Sequence, residues 1–163
     1  MRALKYIAIF MAILLILSLL FVGYFFLTAN VSIVAFKAQG VQAADVPEQF
    51  EGIKASVENE TFRGTYFNNT PLGEAEKYAL VTYTLRIGND CLVPIDMIEV
   101  QVVPNPNDLL QLGDQAVYSL QPKSQGDITA TILTLKESHS VRELLVSYYV
   151  WGISFTIQET YRD

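Results

Sequence analysis

The chain has 163 residues, seventeen Asp+Glu against eleven Lys+Arg, one Cys and one His. That length holds one domain of ordinary size, and the single Cys excludes an internal disulfide. One Cys and one His leave no set for a closed zinc site, and the acidic balance opposes binding to nucleic acid or an anionic surface, which need a positive patch.

Residues 1–5 form a basic tip carrying Arg2 and Lys5, and residues 6–29 read as a transmembrane anchor helix. No charge occurs between Lys5 and Lys37, and Tyr6 to Leu27 is almost wholly aliphatic or aromatic. At ~1.5 Å per residue this run spans about 33 Å, enough for a bilayer's hydrocarbon core of ~30 Å. It exceeds the ~7–15 apolar residues of a secretory signal. The small-x-small sites are poorly placed, with Leu27-Thr28-Ala29 at the end of the run and Val41-Gln42-Ala43 far past it. The expectation is an uncleaved single-pass anchor in the plasma membrane. The positive charges before the helix keep the N-terminus cytoplasmic and send the rest outside. Tyr6 and Tyr24-Phe25-Phe26 fit interfacial aromatic belts. Gly23 has Leu19 and Leu27 four residues away, so no Gly-x-x-x-Gly dimer face is present.

Without Arg2 and Lys5 the remainder carries nine basic against seventeen acidic residues, a net charge of −8. Within residues 30–52, Val31 to Lys37 is a candidate first strand and Ala38 to Gly52 a linker. Residues 53–163 then read as an extracytoplasmic β domain. Ile53 to Phe67 is a weak strand pair or one irregular strand, closed by the turn Asn68-Asn69-Thr70-Pro71. Ala79, Val81, Tyr83, Leu85 and Ile87 alternate with Leu80, Thr82, Thr84 and Arg86, as a half-buried strand does. Gly88-Asn89-Asp90 signals a turn. Ile98, Val100 and Val102 alternate with Glu99 and Gln101, until Pro104 and Pro106 stop the ladder. Short strands follow at Leu109 to Leu112 and Ala116 to Leu120, then a polar loop from Pro122 to Asp127. Ile128 to Thr134 is another strand. Leu144 to Trp151 and Ile153 to Thr160 form a closing hairpin or bulged pair about Gly152. No helical stripe is expected after residue 37, beyond one turn within Lys136 to Val141.

About seven short strands separated by turns predict an antiparallel β-sandwich. Its expected core comprises Val81, Tyr83, Leu85, Ile98, Val100, Ile132, Val146 and Trp151. The connection Tyr118-Ser-Leu120-Gln-Pro122-Lys-Ser-Gln-Gly126-Asp-Ile128 and the hairpin Tyr148-Tyr149-Val150-Trp151-Gly152 resemble the middle and closing strands of immunoglobulin- or fibronectin-III-like domains. With the anchor, the layout resembles small single-pass bacterial envelope proteins of Gram-positive type. The resemblance implies a non-catalytic interaction or structural role in the cell envelope.

Candidate chemistry is sparse. His139 stands in Glu137-Ser138-His139-Ser140, without a Gly-x-Ser-x-Gly elbow to supply a nucleophile, and reads as an exposed loop residue. Asn105, Asn107, Asp108 and Asp114 could gather oxygens for calcium, but their spacing fits a Pro-Asn-Asp turn better than an EF-hand. Glu74 and Glu76 read as a solvated run. No cofactor or metal is expected. Tyr148, Tyr149 and Trp151 are the candidate partner-contact aromatics, because such side chains dominate binding hot spots. The expected partners are the bilayer, through residues 6–29, and a protein or wall component. The alternative is a small membrane-tethered hydrolase using paired carboxylates.

Overall fold

A computed structural model of the chain describes residues 2–27, 30–113, 117–136 and 141–162. Helix α1 spans Arg2–Leu27. Its stretch Leu4–Phe25 has a mean hydropathy of 2.8, and none of it is buried within the protein. Such a helix has the length and composition of a membrane span. Beyond it the described residues form nine strands: β1 (Val31–Gln42), β2 (Gly64–Tyr66), β3 (Tyr78–Asn89), β4 (Ile95–Val102), β5 (Asp108–Leu112), β6 (Tyr118–Leu120), β7 (Ser124–Leu135), β8 (Arg142–Val150) and β9 (Ile153–Tyr161). One further helix, α2, covers Pro47–Glu58.

The strands make two antiparallel sheets, β1-β3-β7-β5-β2 and β6-β4-β8-β9. Alternation along each strand decides what lies between them. Tyr83, Leu85 and Ile87 of β3 and Ile128, Ala130 and Ile132 of β7 meet Ile98, Val100, Val102, Leu144, Val146 and Tyr148 of the second sheet in one core. The opposite parity of the first sheet turns outward. There Tyr78, Leu80, Leu110 and Leu133 are capped by Phe50 and Ile53 of α2, with Phe50 stacked on Tyr78 at 5.6 Å.

The expected linker is therefore strand and helix. Strand β1 runs on to Gln42, paired with β3 from Val31↔Asn89 to Gln42↔Ala79 across a bulge at Val34. The weak strand expected from Ile53 belongs instead to α2. Pro47 supplies a pre-set φ at the helix start, and Phe50, Ile53 and Val57 recur at helical spacing, a stripe masked by the intervening charges. Of the strand expected from Ile53 to Phe67, Gly64–Tyr66 alone pairs, against β5. Nor is Ser124–Asp127 loop: β7 begins at Ser124, and Gln125 and Asp127 occupy its wet face, where Asp127 meets Arg86 of β3. Asn89 likewise belongs to β3 rather than to a turn.

Tyr83, Leu85, Ile98, Val100, Ile132 and Val146 are buried as expected, and Val81 is partly so. Trp151 is not core: it is 51% exposed. Strand alternation ends at Val150, and Trp151 occupies the two-residue turn between β8 and β9, so the parity argument does not reach it.

The two ends of the β domain differ. The end beside α1 gathers Val31, Asn89, Ile95, Leu120, Ser124 and the β8–β9 turn. Asn89 ties it together. Its buried amide is shared among the carbonyls of Val93, Leu120 and Gln121 at 3.0–3.1 Å, while its Oδ1 accepts the Cys91 N–H at 3.0 Å. At the far end Arg142 of β8 makes a bidentate, buried ion pair with Asp108 of β5, joining the sheets.

Candidate interaction surface

The candidate aromatics separate into two environments. Tyr148 is a core residue, 8% exposed and stacked on Phe155 at 5.7 Å, so it belongs to no outer face. Burial first, and then the nearby Cys91 thiol, push its hydroxyl above the ordinary tyrosine pKa. Tyr149 and Trp151 are exposed. Adjacent side chains on a strand point to opposite sides, and the pairing of β8 with β4 and β9 turns Tyr148 inward.

A groove of about 590 Å³ opens along one flank of the two sheets. Its floor and walls come from Gly64 and Thr65 of β2, Met97 to Val100 of β4, Gln111 to Gly113, Val117 and Tyr118, Ile128 and Thr129, with Tyr149 at its margin. It lies where β6 is three residues long and, among the described residues, most of β4 has no backbone neighbour on that side. The Gln111 side chain fills part of the gap as a strand would. Its Nε2 donates to the Val100 carbonyl at 2.7 Å, and its Oε1 accepts the Val102 N–H at 2.9 Å. This amide satisfies an open edge that otherwise invites pairing.

Two local features shape the groove. Met97 has a φ of +51° at a bulge where β4 shifts register, and its side chain is 59% exposed. Left-handed backbone is costly for such a residue, and strain of this kind collects at functional sites. Gly64 and Gly113 let β2 cross close to β5: a Cβ at Gly64 would meet the Gln111 carbonyl at 2.2 Å, and one at Gly113 the Arg63 carbonyl at 2.5 Å. Neither Met97 nor this glycine pair stood out in the sequence. The signal for the second was two isolated glycines flanking separate short apolar segments, visible as a pair only once β2 and β5 are adjacent.

Among the described residues the groove's lining has one carboxylate, Glu99. A second groove, about 280 Å³ between Val57, Glu58 and the segment Tyr66 to Leu72, likewise has one, Glu58. Among the described residues no three His, Cys, Asp or Glu side chains cluster as metal ligands. Asp108 is committed to Arg142 and to the Asn105 N–H at 2.7 Å. Asn107 gives its carbonyl to Thr134, and Asp114 lies outside the described residues. His139 and its neighbours Glu137, Ser138 and Ser140 also lie outside them. Cys91 is a buried free thiol. Glu74 opens onto the short 3₁₀ turn Ala75–Lys77, which contains Glu76.

Burial by itself would lower the Arg142 pKa, but its hydrogen bonds to Asp108 and Tyr83 and the Asp108 charge outweigh that and raise it. At the surface, a hydrogen bond from Arg86 holds Asp127 below the usual carboxylate range. Chemically the flank offers shape, backbone edge and aromatic surface. The sequence matches no family model, and comparison with curated proteins found no match.

Proposed function

We propose that this is a non-catalytic, single-pass membrane protein whose β domain stands outside the cytoplasm and binds a protein or wall component of the cell envelope. The observation that carries this reading is the groove flanked by exposed Met97 and Tyr149, whose lining among the described residues has a single carboxylate, Glu99. A carboxylate hydrolase needs two acids converging on one cleft, at ~5–9.5 Å from each other. A binder needs a concave surface with aromatic anchors, and this groove combines Met97, Val117, Tyr118 and Tyr149 with the polar Thr65, Gln111 and Thr129.

The orientation rests on Arg2 and Lys5 ahead of α1. Strand order supports an immunoglobulin- or fibronectin-III-like type. With β2 and β5 set aside, the other seven take positions A, B, C, C′, E, F and G, with A-B-E in one sheet and C′-C-F-G in the other. Strand β5 sits beside E in the place of D, yet leaves the chain between C and C′. With β2 and α2, it marks where this chain departs from the type.

The test is complementation of a strain lacking the protein. Met97→Asp and Tyr149→Asp are expected to abolish function with the melting curve unchanged, while Glu99→Gln retains it. Loss of function in Glu99→Gln together with loss of a measurable hydrolysis would overturn the binding reading. Exclusion from protease added to intact cells would overturn the orientation.

A further inference from the structure

We propose that the α1-facing rim of the β domain is itself a membrane contact, with the Trp151-Gly152 turn and Leu92 set into the headgroup region of the leaflet facing the domain. The inference rests on α1 being a membrane span. Helix α1 ends at Leu27 and β1 begins at Val31. The few intervening residues reach no further than ~3.6 Å each, so the start of β1, which lies on the rim, is held within about 14 Å of the helix end. Trp151 is closer than that limit requires: its ring lies 5.9 Å from the ring of Phe25 in the last turns of α1.

What the rim presents suits an interface. Trp151 on the β8–β9 turn, Leu92 on the β3–β4 loop and Ile153 at the start of β9 are each about half exposed. Indole is the side chain most at home where apolar and wet regions meet. The loops carry one charge of each sign, Asp90 and Lys123, and the Lys123 amine donates to the Asp90 carbonyl. An acidic domain gains nothing from electrostatic adsorption, so apolar insertion is the route left. The platform is also braced: Asn89 fixes the loops on both sides, and the Asp90 N–H donates to Asn30 at the entry to β1 at 2.9 Å. A rigid rim loses little freedom when it docks. Finally, Trp151 sits at a φ of +50° and Gly152 at +78°, a turn that favours Asn-Gly, so the indole stands where local preference opposes it.

Trp151 is the one tryptophan in the sequence, so its fluorescence reports this site alone. The full chain is reconstituted in phosphatidylcholine–phosphatidylglycerol vesicles with lipids brominated either near the headgroup or near the chain end. Expected are blue-shifted emission, protection from acrylamide, and loss of most of the emission with the shallow bromines but little with the deep ones. Leu92→Asp combined with Ile153→Asp changes exposed positions and is expected to restore acrylamide access and abolish the shallow quenching, with the melt unaltered. If Trp151 emits as hydrated indole and no bromolipid quenches it, the rim contact is overturned while the anchor stands. Acrylamide protection without bromolipid quenching would assign the rim to protein and overturn the lipid contact. Quenching unchanged in the double variant would reduce it to tethering by α1, against the proposal. Failure of the chain to float with the vesicles would overturn the anchor and the rim contact together.

Discussion

Asp108 and Arg142 show how a polar residue in a turn-like sequence can become structural. Pro104-Asn-Pro106-Asn-Asp108 reads as solvent-exposed, yet Asp108 is buried against a guanidinium from a strand thirty-four positions later. Such a partner is invisible to local pattern. Removing one member strands the other charge: Asp108→Ala is expected to lower stability by about 3–5 kcal/mol in urea titration, and Asp108→Leu with Arg142→Met to recover most of it. A loss under ~1 kcal/mol, the scale of surface pairs, would show that water reaches the pair. Trp151 illustrates the converse. An aromatic beside an alternating strand looks like core, but the residue lies in the turn. Trp151→Asn suits its left-handed backbone and is expected to hold stability or raise it by up to ~1 kcal/mol; a loss above ~0.5 kcal/mol would reveal packing by the indole. Tyr148 gives a signed pH dependence. Burial raises its native pKa, so the unfolded chain ionises first, near pH ~10, and stability falls as pH rises from there through the higher native value. Tyr148→Phe should flatten that alkaline decline in a pH series of melts, and an unchanged slope would assign it elsewhere.

At the scale of elements, strong alternation identified β3, β4, β7 and the closing hairpin, because one buried and one wet face impose period two wherever a sheet covers a core. The same rule stopped β1 at Lys37, five residues short of its end at Gln42, and missed α2. Strand β1 is an edge strand with much of its length exposed, so Lys37, Gln39 and Gly40 blur its pattern. Helix α2 buries only Phe50 and Ile53 on the outer face of the first sheet, too narrow a stripe to rise above its charges. Both matter energetically. Phe36 of β1 stacks on Tyr161 at 3.9 Å and on Tyr83 at 5.9 Å, closing the core at one side. A fragment beginning at Asn30 is expected to melt cooperatively. One beginning at Ala44 lacks β1, bares the β3 edge, and is expected to aggregate or lose its cooperative transition in circular dichroism. Equal melts for the two would show that β1 is dispensable. Met97 and the Gly64–Gly113 crossing belong here too: a bulge and a close approach arise from pairing between strands, so the groove they frame could not be read from either segment alone.

For the whole molecule, an uncovered apolar helix and an acidic β domain meet at one end. Alkaline carbonate extraction of membranes is expected to leave the protein in the pellet, and release to the supernatant would overturn the anchor. The sequence by itself determined the apolar helix and an antiparallel β class, since both follow from composition and period within one segment and need no partner. It also bounded the chemistry, because one Cys, one His and a negative charge limit what any fold could assemble. Only the tertiary structure decided which alternating faces meet, that α2 covers the outer face of the first sheet, that Asp108 pairs with Arg142, and that Tyr148 is buried while Tyr149 and Trp151 are exposed. Those outcomes depend on register and on contacts between residues far apart in the chain. One residue's shift in register turns a side chain from core to solvent, and no local propensity encodes that choice.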